Sequence, residues 1–133
     1  MKPSWRWSLA GDAAISQQVM LDARRVIFGY TCANDVTAPD VQRRHGLPDY
    51  AKSFDTFCPL GPWVETGLDL GSTRVRCLVN GEVKQNGRVD DMLTSVLALI
   101  SYISQAMTLL PGDLILTGTP AGTFSRWALS RWP

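Results

Sequence analysis

A chain of 133 residues, 45% apolar and 19% charged, is long enough to bury a core and fits one globular domain. Its net charge of +1 lacks the clustered cationic excess that phosphate binding needs, which argues against a nucleic-acid platform. The first residues show no signal-peptide pattern, and no apolar run reaches the roughly 20 residues that span a bilayer, so a soluble protein away from membranes is expected. Cys32, Cys58 and Cys77 are odd in number and lack metal-type spacing. They read as buried reduced thiols, and a cytoplasmic location follows.

In chain order, Val26 to Cys32 is apolar and β-branched enough for a strand. Thr37 then reads as a helix N-cap, with Pro39 in the first turn and Asp40 in the capping-box position, for a short helix through about Arg44. Gly46 and Pro48 end it, and residues 49–58 form an irregular segment carrying Lys52. A short strand is expected from Trp63 to Thr66. Val75 to Val79 and Glu82 to Gln85 flank Asn80-Gly81, a strong hairpin signal because both turn positions tolerate positive φ. Asn86-Gly87 reads as a further turn. From Met92 to Met107 the positions Leu93, Val96, Leu97, Leu99, Ile100, Ile103 and Met107 recur at helical spacing. Pro111-Gly112-Asp113 is a turn, and Leu114 to Thr117 a buried strand leading into residues 118–122. Both ends, MKPSWRWSLAG and TFSRWALSRWP, mix Arg, Ser and Trp without clear periodicity, which suggests a reading-frame change or chimaeric ends.

Asp35 lies at the end of the first of these strands, where active sites are commonly built, and Lys52 sits in an apolar, turn-rich setting nearby. A carboxylate and an ammonium on one sheet edge point to an anionic substrate. Taken alone, Asp35 is equally a turn or cap carboxylate, and Lys52 a surface lysine. His45, the one histidine, follows Arg43-Arg44 at a helix end and reads as a solvated residue rather than a catalytic one. The TGTPAG loop has no phosphate-binding lysine, which argues against nucleotide.

Four motifs occur in order: GYTCANDVTAPD, AKSFDTFCPLGPW, VNGEVKQNGR and DLILTGTPAG. Together they resemble the fumarylacetoacetate hydrolase family over roughly Val26 to Gly122. The resemblance implies an α+β, β-rich fold, part of that family's mixed β-sandwich or roll, commonly assembled as a homodimer or larger. It divides the chain into an atypical N-terminal segment (1–25), a partial catalytic domain (26–122) and an atypical C-terminal tail (123–133). It also implies metal-dependent hydrolysis of a carbon–carbon bond, decarboxylation or isomerisation of a small β-dicarbonyl or enol acid. By the same resemblance Asp35 is one of several carboxylates around Mg2+ or Mn2+, and Lys52 stabilises the enolate oxygen. Gln42 and Thr117 contact the substrate's carboxyl or carbonyl oxygens.

The chain departs from the family pattern in three places. The family's closely spaced pair of metal-binding glutamates lies upstream of the GYTCANDVT run, whereas the only glutamates here, Glu65 and Glu82, lie downstream. Pro39 replaces the family's usual arginine, and the sequence after residue 122 does not continue the family's strands. One carboxylate leaves the dehydration of a divalent ion largely uncompensated, so weak metal binding and impaired activity are expected. The competing reading is a non-catalytic remnant, or a subunit- or ligand-binding module.

Overall fold

The computed structural model describes the backbone of residues 3–9 and the whole of residues 23–122. Strand β1 is Pro3–Leu9 and β2 is Ile27–Asn34, followed by helix α1, Pro39–His45. Then come β3, Arg74–Val79; β4, Glu82–Arg88; helix α2, Val96–Ala106; and β5, Leu114–Leu116. The described strands form an antiparallel sheet in the order β2-β1-β5 and a separate β3-β4 hairpin. This is the mixed, β-rich α+β architecture expected.

The central strand comes from a stretch in which the sequence reading saw no periodicity. Yet PSWRWSL does alternate, with Trp5, Trp7 and Leu9 set against Ser4, Arg6 and Ser8, a period of two that is the mark of a strand. In β2 the residues Gly29, Thr31 and Ala33 are buried while Phe28 and Cys32 are exposed. Cys32 is therefore not the buried thiol expected, because it occupies the opposite phase of the pleat. The inward positions are small because residues 60–65 press on them. A Cβ on Gly29 would stand 2.8 Å from the Glu65 carbonyl oxygen, and one on Gly61 2.7 Å from Thr31 Oγ1.

Other expectations shift. The α1 N-cap is Ala38, not Thr37, because the residue before a proline is held extended, here at φ −90° and ψ 91°, and the helix cannot begin before Pro39. Thr37 Oγ1 instead donates to the Asp35 carbonyl at 3.2 Å. Residues 63–66 make no strand: they supply only the isolated bridge Tyr30↔Glu65, with Leu60 bridging Ala33, since Pro59 and Pro62 cannot sustain a ladder. Asn86-Gly87 is no turn but part of β4, paired with Arg76 and Val75. A Cβ on Gly87 would lie 2.6 Å from Pro120 Cβ, so close packing rather than turning explains this glycine. Helix α2 begins at Val96, where Ser95 Oγ accepts from the Ala98 amide, and Leu93 is left exposed ahead of it. Cys58 and Cys77 are half-buried rather than buried, Met107 is exposed, and the strand expected at 114–117 ends at Leu116 with only Ile115 buried. As expected, Gly46 ends α1 at φ +69°, and Asn80-Gly81 turns the hairpin at φ +53° and +81°.

The core forms where α2 covers the sheet. Val96 and Ile100 recur four residues apart on one helix face and pack with Ala23, Leu109 and Ile115, flanked by Ile27, Tyr30 and Ile103. Ile100 is the most deeply buried large apolar residue described, and burial of this kind is worth about 1.5–3 kcal/mol for such a side chain.

Candidate active site

Asp35 follows the last residue of β2, and three hydrogen bonds fix the chain there. The Asn34 amide donates to the Pro59 carbonyl at 3.0 Å, the Val36 amide to the Asn34 carbonyl at 2.9 Å, and Thr37 to Asp35 as described. Lys52 ends a single helical turn, Tyr50–Lys52. The turn is anchored through Ala51, which is fully buried and whose carbonyl accepts from the Ala38 amide at 2.9 Å. This bond ties the start of α1 to the lysine turn and so closes a 17-residue separation between two charges. Lys52 Nζ is in ion-pair contact with Asp35 Oδ2. The lysine and aspartate side chains remain 39% and 25% exposed, so a small solute can reach the pair.

An aromatic series lies along the same segment. His45 meets Tyr50 edge-on with ring centroids 5.4 Å apart, Tyr50 meets Phe54 at 5.6 Å, and Phe54 meets Phe57 at 5.5 Å. His45 is an exposed member of this series.

The other two candidates stand on other elements. Gln42 is exposed on α1, where its carbonyl accepts the Gly46 cap amide. Thr117 follows β5 and lines a cavity of about 560 Å³ between β4, the start of α2 and the 118–121 loop; neither Asp35 nor Lys52 is among its described lining residues. Among the described residues Thr117 Oγ1 is buried without a partner. The loop beside it is pinned by Gln85, which is 2% exposed and whose Nε2 donates to Thr119 Oγ1 at 2.9 Å and to the Pro120 carbonyl at 2.7 Å. Sequence reading did not single out Gln85. The signal available was a glutamine in a strand next to a hairpin turn, too common to be informative.

The donors described do not fit a divalent cation. Magnesium or manganese needs several converging oxygens. Among the described residues no three His, Cys, Asp or Glu side chains come together. Glu65 accepts from the Gly67 amide, and Glu82 pairs with Lys84 at 2.5 Å. The strand beside Asp35 has Pro3 opposite Asn34 and contains no acidic residue. Asp12 and Asp22 lie outside the described residues, as do the tail at 123–133 and most of the segment at 1–25.

A strand-end carboxylate is thus paired with a lysine from an adjacent turn on a mixed α+β scaffold. The model of the fumarylacetoacetate (FAA) hydrolase C-terminal family matches residues 13–131, and the chain belongs to that family. It is 44% identical to the oxaloacetate tautomerase YisK of Bacillus subtilis, over 76% of this chain and 35% of that one. Among solved structures it resembles 5-carboxymethyl-2-hydroxymuconate delta-isomerase from Mycobacterium smegmatis, with 42% identity and a TM-score of 0.81 over 91% of this chain and 47% of the isomerase. It is similarly close to 2-hydroxyhepta-2,4-diene-1,7-dioate isomerase from Mycobacterium marinum, with 43% identity, a TM-score of 0.80 and the same shares. The chain thus spans less than half the length of each of these relatives. No helix among the described residues is long and apolar enough to cross a membrane.

Proposed function

We propose that residues 26–122 carry part of an active centre for enol chemistry on a small keto or enol acid, the reaction being tautomerisation or isomerisation, with carbon–carbon hydrolysis or decarboxylation as the family's other outcomes. The observation that carries this reading is the Lys52–Asp35 contact, made by two residues that stand in family motifs. The names of the relatives favour proton transfer: one is a tautomerase of oxaloacetate and two are isomerases of unsaturated acids.

In such a reaction solvent water or buffer base takes a proton from the carbon next to a carbonyl, negative charge gathers on the carbonyl oxygen, and a proton from solvent then completes the enol. The Lys52 ammonium stabilises that oxygen, and Asp35 holds the lysine in place. By the family resemblance Gln42 and Thr117 would contact the substrate's carboxyl and carbonyl oxygens, although Thr117 lines a cavity whose described lining includes neither Asp35 nor Lys52. The family is generally metal-dependent. Mg2+ or Mn2+ is the ion expected for it, but no step is assigned to an ion that the described donors do not fit. Activity of this chain alone is accordingly low, and assembly with a second copy and a cytoplasmic location complete the proposal.

The test is enol–keto interconversion of oxaloacetate, followed by enol absorbance, with oxalate as the inhibitor. The proposal expects a small acceleration over buffer, suppressed by oxalate and lost in Lys52→Met. No acceleration together with no oxalate binding would favour the non-catalytic remnant.

A further inference from the structure

We infer that in this chain Asp35 is the counter-ion of Lys52 rather than the ligand of a divalent cation, and that small carboxylates bind Lys52 directly, in competition with Asp35. The inference rests on the reading of Lys52 given above and reverses the sign of Asp35's effect on ligand binding. The ammonium already contacts Asp35 Oδ2 and so competes with a cation for that oxygen. The strand alongside contributes no acidic residue, and no cluster of three metal-binding side chains exists among the described residues. Lys52 has three N–H donors, and one suffices for Asp35. The lysine side chain is only partly covered, so a small solute can approach it.

The ligand class is a compact anion with two adjacent oxygens, such as oxalate or a 2-oxo acid. Asp35 lowers the positive potential such an anion meets at Nζ. Asp35→Asn keeps an oxygen acceptor for Lys52 but removes the negative charge. Anion affinity should therefore rise about two- to fivefold, the scale of a partly exposed ion pair. An ion held by Asp35 and bridging to the anion predicts the reverse, a large loss of affinity in the same variant.

The experiment uses the full chain after chelator treatment and follows oxalate binding calorimetrically in the wild type, Asp35→Asn and Lys52→Met. A second arm titrates Mn2+ by electron paramagnetic resonance with the same three proteins. Support is tighter oxalate binding in Asp35→Asn, loss of binding in Lys52→Met, and Mn2+ binding that is absent or unchanged by Asp35→Asn. Mn2+ binding that weakens tenfold or more in Asp35→Asn overturns the inference, as does oxalate binding that needs Mn2+ and fails in that variant. If oxalate binds none of the three proteins, the proposed function fails, and the Mn2+ arm still decides the role of Asp35.

Discussion

Replacing Gln85 by glutamate changes one atom group in a position where only a donor fits. Gln85 is 2% exposed, and its Nε2 faces the Thr119 hydroxyl and the Pro120 carbonyl, while Oε1 has no partner among the described residues. An ionised carboxylate there would set two acceptors against a carbonyl oxygen, out of contact with water, at a cost of several kcal/mol. Protonation is the cheaper escape, since the acid form regains one O–H donor. Holding the acid form at pH 7, against an ordinary glutamate pKa of about 4.3, costs about 3.7 kcal/mol at about 1.4 kcal/mol per pH unit. Loss of one of the two hydrogen bonds adds about 1 kcal/mol. Gln85→Glu is therefore expected to destabilise by about 5 kcal/mol at pH 7. The sign with pH follows from the folded-state pKa lying above the unfolded one. Where pH lies between the two, the unfolded chain has released a proton that the folded chain retains, so stability falls as pH rises. Relative to the wild type, the penalty should shrink by about 1.4 kcal/mol per unit between pH 7 and pH 5. Urea unfolding followed by far-ultraviolet circular dichroism at each pH measures it. Gln85→Met is the control: it loses both bonds but also the partnerless oxygen, and should cost about 2 kcal/mol or less with no pH slope. A glutamate variant as stable as the wild type at pH 7, or one whose penalty ignores pH, would refute the account of Gln85 as a buried donor to the loop.

Two further outcomes test the backbone and the electrostatics. A Cβ at Gly122, where φ is +95°, would stand 2.2 Å from the Lys84 carbonyl oxygen, whereas at Gly46, φ +69°, nothing lies within 4 Å. Gly46→Ala should cost about 1 kcal/mol, from its left-handed backbone alone, and Gly122→Ala at least about 3 kcal/mol, in matched urea titrations; equal costs would count against the close approach of loop and hairpin. Burial raises the pKa of Tyr30 despite the opposing effect of Arg24. Its contribution to stability is then complete below the unfolded phenol pKa of about 10 and declines as pH climbs through the folded value. Tyr30→Phe should flatten the alkaline side of the stability profile, and an unchanged slope would contradict this.

Local chemistry was enough to locate much of this molecule from its residues. Asn80-Gly81 specifies a hairpin because both positions accept positive φ, Gly46 stops α1 for the same reason, and the spacing of Val96, Ile100 and Ile103 marks a helix with one apolar face. The motifs around Asp35 and Lys52 likewise pointed to the family that the comparisons show. Register and proximity are different, because they depend on residues far apart in the chain. Pro3–Leu9 is the middle of the sheet only because β2 and β5 flank it, Asn86-Gly87 stays extended because β3 pairs with it, and Cys32 is exposed by its phase in the pleat. The Ala38–Ala51 bond brings Lys52 onto Asp35, while Thr117 goes to a cavity whose described lining contains neither. Composition and spacing set which groups this chain owns; the fold decides which of them meet, since a charge acts on its neighbours in space and not on those in sequence.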